Sequence, residues 1–60
     1  MRLKEYRQEI INNLDEDFFN INEDWLDSEQ FSEWVMKLYC QCIEAETAAK
    51  NIEMWFNEKK

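Results

Sequence analysis

The chain is predicted to be all-α, and three observations carry that expectation. Apolar residues recur every three or four positions on both sides of a single polar interruption. The second of these stretches keeps an unbroken heptad. Gly and Pro are both absent from the 60 residues, so no turn that demands glycine is written anywhere.

The first helix is expected over about residues 2–19. Leu3, Tyr6, Ile10, Leu14 and Phe18 form its stripe, widened by Ile11. Its charges run against the macrodipole. Arg2, Lys4 and Arg7 stand at the start, and Asp15, Glu16 and Asp17 near the end. A break is expected at Asn20, Ile21 and Asn22, because Asn tolerates turn and left-handed backbone. A three-helix variant would make residues 22–27 a short middle turn.

The second helix is expected over about residues 28–57. Asp27 or Ser28 can cap it, and Gln30 falls where a capping box would place it if Asp27 caps. Phe31, Val35, Leu38, Cys42, Ala45, Ala49, Ile52 and Phe56 follow in steps of four and three. Glu33 with Lys37, and Glu46 with Lys50, are i,i+4 pairs in the better orientation. Lys59 and Lys60 follow the helix as its dipole favours. Such a helix would be about 45 Å long at 1.5 Å per residue.

Two helices of these lengths suggest an antiparallel hairpin in which the first covers only about 27 Å of the second. Ala45, Ala48, Ala49, Ile52, Trp55 and Phe56 would then lie uncovered. Exposed apolar seams of this kind mark interfaces. The expectation is therefore one small domain over residues 1–60, dimerised with a second copy into a four-helix arrangement, or else a heteromeric complex that uses the same face.

Size and composition exclude several classes. A chain this short buries only about 60% of the surface its unfolded form exposes. With no His and two Cys, a Cys/His zinc site and a histidine-dependent triad are out of reach, and no cofactor is expected. Cys40 and Cys42 would point about 200° apart on a helix, so they cannot share a metal or act as a redox pair. They read as reduced thiols, and the start "MRLKEYRQEI" offers no apolar signal core, so a cytoplasmic chain without a membrane span is expected. Asp15-x-Asp17 begins like a calcium loop. Phe19, Asn20 and Leu26 then occupy positions that need a ligand, a glycine and a bidentate Glu. Carboxyl pairs such as Asp15 and Asp17 could serve acid–base chemistry only in a pocket that shifts them, which a thin helical protein scarcely offers. No enzyme activity is expected.

Charge is the most informative feature. The formal net charge is −7. Between Gln8 and Met36 there are nine acids and no base. Free nucleic acid is a poor partner for such a chain, because binding it needs Lys and Arg on the phosphates. A basic protein surface is the complementary partner. Asp15, Glu16, Asp17, Glu23, Asp24, Asp27 and Glu29 would supply the charge, and Phe19 and Trp25 the apolar anchors. In composition the chain is similar to small phage-encoded inhibitors that mimic nucleic acid, some anti-CRISPR proteins among them. The expected function is a small acidic protein-binding module that occupies the basic surface of a larger, nucleic-acid-handling protein. The alternative is a self-assembling helical element whose acids keep it in solution.

Overall fold

A computed structural model describes residues 2–58. Among them every regular element is helical: α1 (Leu3–Asn13), α2 (Glu16–Ile21), a 3-10 turn (Trp25–Asp27), α3 (Glu29–Cys40) and α4 (Ala45–Glu58). Each of the two helices expected from periodicity is divided in two. Lys59 and Lys60, read as complements to a helix dipole, lie outside the described residues.

The first division falls at Leu14 and Asp15. Both adopt extended ψ, 148° and 138°, and the Leu14 N–H turns back to the Ile11 carbonyl at 3.2 Å. Leu14 thereby reaches the core with 7% exposure. The division also resolves the acidic half of the charge order that opposed the dipole of a single helix, while Arg2 and Lys4 still stand at the start of α1. Glu16 and Asp17 now occupy the first turn of α2, where negative charge is favoured. Across the gap, the Asp15 N–H donates to the Glu53 carboxylate of α4 at 3.1 Å.

The expected break at residues 20–22 is present. α2 ends at Asn22, whose backbone N–H and side-chain amide both donate to the Phe18 carbonyl, at 3.0 and 3.1 Å. Asn22 itself is not left-handed (φ −115°). Ser28, rather than Asp27, caps α3, its Oγ accepting from the Phe31 N–H at 3.3 Å.

The second division corrects the expected helix over residues 28–57. α3 stops at Cys40, and Cys42 turns left-handed with φ 58°. The Ile43 N–H reaches the Leu38 carbonyl at 3.2 Å, and the Cys42 N–H reaches the Tyr39 carbonyl at 3.1 Å. These two bonds are a Schellman motif, with Cys where Gly usually stands and with Ile43 as its accompanying apolar residue. Tyr6 of α1 donates its hydroxyl to the Ile43 carbonyl, so a linker acceptor set free by the break finds a donor. A 45 Å rod would not fit the result, since the longest Cα extent is 28 Å.

Bending the chain here lets α4 pack along α1. The core takes Tyr6, Ile10 and Leu14 from α1, Leu26 from the 3-10 turn, Phe31, Val35 and Leu38 from α3, and Ala48, Ala49 and Ile52 from α4. The largest fully buried side chains are Phe31, Ile10, Leu38, Ile52 and Val35. Each contributes about 1.5–3 kcal/mol as an upper figure. Ala48 and Ala49 are fully buried and let a neighbouring backbone come close, but that neighbour is the chain's own α1.

Candidate protein-binding surface

The acidic segment is built from α2, the 3-10 turn and the first turn of α3. Asp15, Glu16, Asp17, Glu23, Asp24, Asp27 and Glu29 are all exposed. Short helical pieces fix the backbone that carries them. α2 is closed by the Asn22 bonds, the 3-10 turn by the Leu26 and Asp27 N–H bonds to Glu23 and Asp24, and α3 by the Ser28 cap.

Among the described residues, one cation reaches into this segment from elsewhere in the chain. Arg7 donates to the Leu26 carbonyl at 2.9 Å and lies 3.8 Å from the Asp27 carboxylate. Its guanidinium also stands over the Phe31 ring, 5.5 Å from the centroid. Arg7 therefore ties α1 to both the 3-10 turn and α3. The carbonyl bond and the ring contact carry that tie, because Asp27 is 89% exposed and water screens the ion pair. Sequence periodicity gave no sign of this clamp. The last base before a long stretch without bases, on the flank of an apolar stripe, is the available hint.

The two expected aromatic anchors are placed differently from each other. Trp25 is half-buried at the centre of a ring cluster. Phe18, Phe31, Trp34 and Phe56 surround it at centroid separations of 6.3, 5.4, 5.1 and 4.7 Å, in edge-on geometry. Its indole N–H donates to the Gln30 side chain at 3.0 Å. Such rings attract beyond simple area burial, so Trp25 chiefly joins the acidic segment to α3 and α4. Phe19 is half-buried beside a hollow of about 250 Å³, lined also by Arg7, Gln8, Ile11, Glu23, Leu26 and Asp27. Within the acidic segment the large apolar residue that stands clear of the surface is Ile21, 77% exposed at the end of α2. The sequence marks it only as part of a break, because a single Ile between two Asn carries no periodic signal.

Of the residues expected at an oligomer interface, three are covered within the chain and three are covered in part. Ala48, Ala49 and Ile52 are fully buried in the core, and Ala45 is half-buried against it. Phe56 packs edge-on against Phe18 at 5.3 Å, and Trp55 against Trp34 at 5.6 Å, with the Lys37 ammonium 5.7 Å above the Trp55 ring. The seam inferred for a straight second helix is thus partly closed, because the turn at Cys42 brings Ala48, Ala49 and Ile52 onto α1.

At the turn lies a groove of about 560 Å³ lined by Tyr6, Glu9, Tyr39, Cys42, Ile43, Glu44 and Ala45. Tyr6 and Tyr39 meet at 5.2 Å within it. Burial raises the Tyr6 phenol above its ordinary value of 10.0, and the nearby Cys42 thiol adds to the effect. Both cysteines are free thiols and exposed. Among the described residues, no three His, Cys, Asp or Glu side chains converge so that they could hold a metal ion. No helix there is long and apolar enough to cross a membrane.

No family model matches this chain, and no significant match is found among curated proteins or solved structures.

Proposed function

We propose that this chain is a small acidic binding module that occupies a basic surface of a larger protein, one that normally receives nucleic acid. The observation that carries the reading is the exposure of all seven carboxylates between Asp15 and Glu29, on a segment held by helical bonds and ring packing, with Arg7 as its one basic contact from α1. A fixed array of negative charge is complementary to a Lys/Arg groove. It steers association to high rate and makes the complex sensitive to salt. Ile21 and the Phe19 hollow offer apolar contact among the charges, which a purely electrostatic surface would lack. The mechanism is occupancy: no bond is made or broken, and no cofactor takes part. Exposed free thiols at Cys40 and Cys42 fit a reducing cytoplasm.

The test is affinity capture at low and high salt with the wild-type chain and with a variant carrying Asp15→Lys, Asp17→Lys, Asp24→Lys and Asp27→Lys, both checked for native helicity. The reading expects a nucleic-acid-binding protein on the wild-type bait alone, lost at high salt and displaced by a DNA duplex. The same proteins on both baits, or only further copies of the chain, would overturn it in favour of the self-assembling element.

A further inference from the structure

The turn at residues 41–44 is made from residues that do not specify a turn, and the apolar pattern on its two sides is continuous. Gln41, Cys42, Ile43 and Glu44 contain neither Gly nor Pro nor Asn. Cys42 sits at φ 58°, a conformation that costs any residue with a Cβ. Glu44, just before α4, is not one of the Ser, Thr, Asp or Asn residues that best cap a helix. Both sides of the break thus lack the residue types that ordinarily hold one. Meanwhile Phe31, Val35 and Leu38 before it, and Ala45, Ala49, Ile52 and Phe56 after it, all face the core fully or in part, and they remain in one heptad register through Cys42.

From this we infer that the chain has a second state, a domain-swapped dimer with a second copy of itself, in which residues 41–44 become helical and α3 and α4 join into one long helix. In that state α4 of each chain packs on α1 and α3 of the other, through the contacts that the closed chain makes within itself. Nothing in the core has to be redesigned, because the swapped interface is the existing one, related by a two-fold axis. The difference lies at the turn. Cys42 leaves its left-handed conformation, and the N–H groups at the start of α4 gain the carbonyls of residues 41–43 as partners. A short connection under strain is the usual origin of such exchange. The residues expected from the sequence to form a dimer interface, Ala48, Ala49 and Ile52 above all, would then lie between chains. The acidic segment stays exposed in either state, so the exchange is independent of what binds there.

The test sets Cys42→Gly against Cys42→Ala, both in reductant to exclude disulfides. Glycine removes the cost of φ 58° and favours the closed chain, whereas alanine keeps that cost and favours helix. Light scattering after refolding at high concentration should find at least a tenfold larger dimer-to-monomer ratio for Cys42→Ala than for Cys42→Gly, with wild type between them. Exchange is then read directly from the contact between residue 15 and Glu53. An Asp15→Lys chain, refolded as a mixture of light and heavy nitrogen isotopes, is linked with a carbodiimide in its dimer fraction. Links from Lys at 15 to Glu53 between light and heavy chains are expected. Links confined to single chains, equal dimer ratios for the glycine and alanine variants, or monomers throughout would each overturn the proposal.

Discussion

The molecule has two ends that are stabilised by different means. Around the turn between α3 and α4, and along α1, the interior is mainly aliphatic and closed, with Tyr6 its one buried ring: Ile10, Leu38, Ala48, Ala49 and Ile52 have no exposed surface. Around α2 and the 3-10 turn the interior is a cluster of six rings, of which only Phe31 is fully buried and Phe18, Trp25, Trp34, Trp55 and Phe56 are each half-open. The closed end obtains its stability from water excluded by small, branched residues at close approach. The open end cannot exclude water, because the shell around it is acidic and thin. It relies on large rings, each of which buries much area even when one edge remains wet. Sixty residues are too few to build two closed cores. Placing the acids over rings rather than over aliphatic side chains is how this chain keeps a charged surface in fixed shape.

The largest effect should come from breaking the closed end. Leu38→Ala removes a side chain with no exposed surface from the contact of α1, α3 and α4, and is expected to cost about 2–5 kcal/mol. That approaches the whole stability of a domain this size, so thermal melting by circular dichroism should show a chain unfolded or nearly so at 37 °C. Trp25→Ala attacks the open end. Trp25 is only half-buried, so about 2 kcal/mol is expected, below the range for a fully buried ring. Hydrogen exchange should then rise in α2 and the 3-10 turn while the α1–α4 amides keep their protection. Equal loss at both ends would show that the two are one cooperative unit.

Tyr6→Phe is a smaller perturbation at the closed end, about 1 kcal/mol for the lost bond to the Ile43 carbonyl. It also has a signature in pH. Burial raises the folded-state pKa of Tyr6, so its contribution is intact below the unfolded value of about 10 and is lost as pH rises through the folded value. The stability advantage of wild type over the variant should therefore shrink in alkali, which urea titrations at pH 8 and above pH 10 would reveal. The smallest effect concerns the acids. Asp24→Asn, at an exposed position in a crowd of like charge, should raise the melting midpoint slightly at low ionic strength and leave it unchanged at high salt.

How far these features could be read in the sequence follows from their range. The stripe of Tyr6, Ile10 and Leu14, the Ser28 cap and the ending near Asn22 are local patterns, and all three appear in the structure. The exposure of the acids was also legible, because burying unpaired charge is prohibitive. The divisions at Leu14 and Cys42 were not. In both, the local pattern is compatible with continuous helix, and tertiary gain decides. α4 folded back on α1 buries Ala48, Ala49 and Ile52 at the expense of one strained residue. Trp25 was assigned to a partner because its neighbours in sequence are acids. Its neighbours in space are Phe18, Trp34 and Phe56, which lie up to 31 positions away and could not be inferred from spacing. In the sequence Arg7 is an unfavourable helix charge, whereas in the fold it reaches the Leu26 carbonyl.

The division of rings between the two ends makes the chain its own optical reporter. All three tryptophans, Trp25, Trp34 and Trp55, belong to the ring cluster, and both tyrosines, Tyr6 and Tyr39, meet at the turn. Indole emission excited at the red edge therefore reads the acidic end alone, and the phenol absorption bands read the other. The Trp25 and Trp34 indoles, 5.1 Å apart at 66°, are close enough for their excited states to couple and give a paired near-ultraviolet dichroic band. A ligand arriving on the acidic face would alter the tryptophan signal and leave the tyrosine signal still, with no label attached to either.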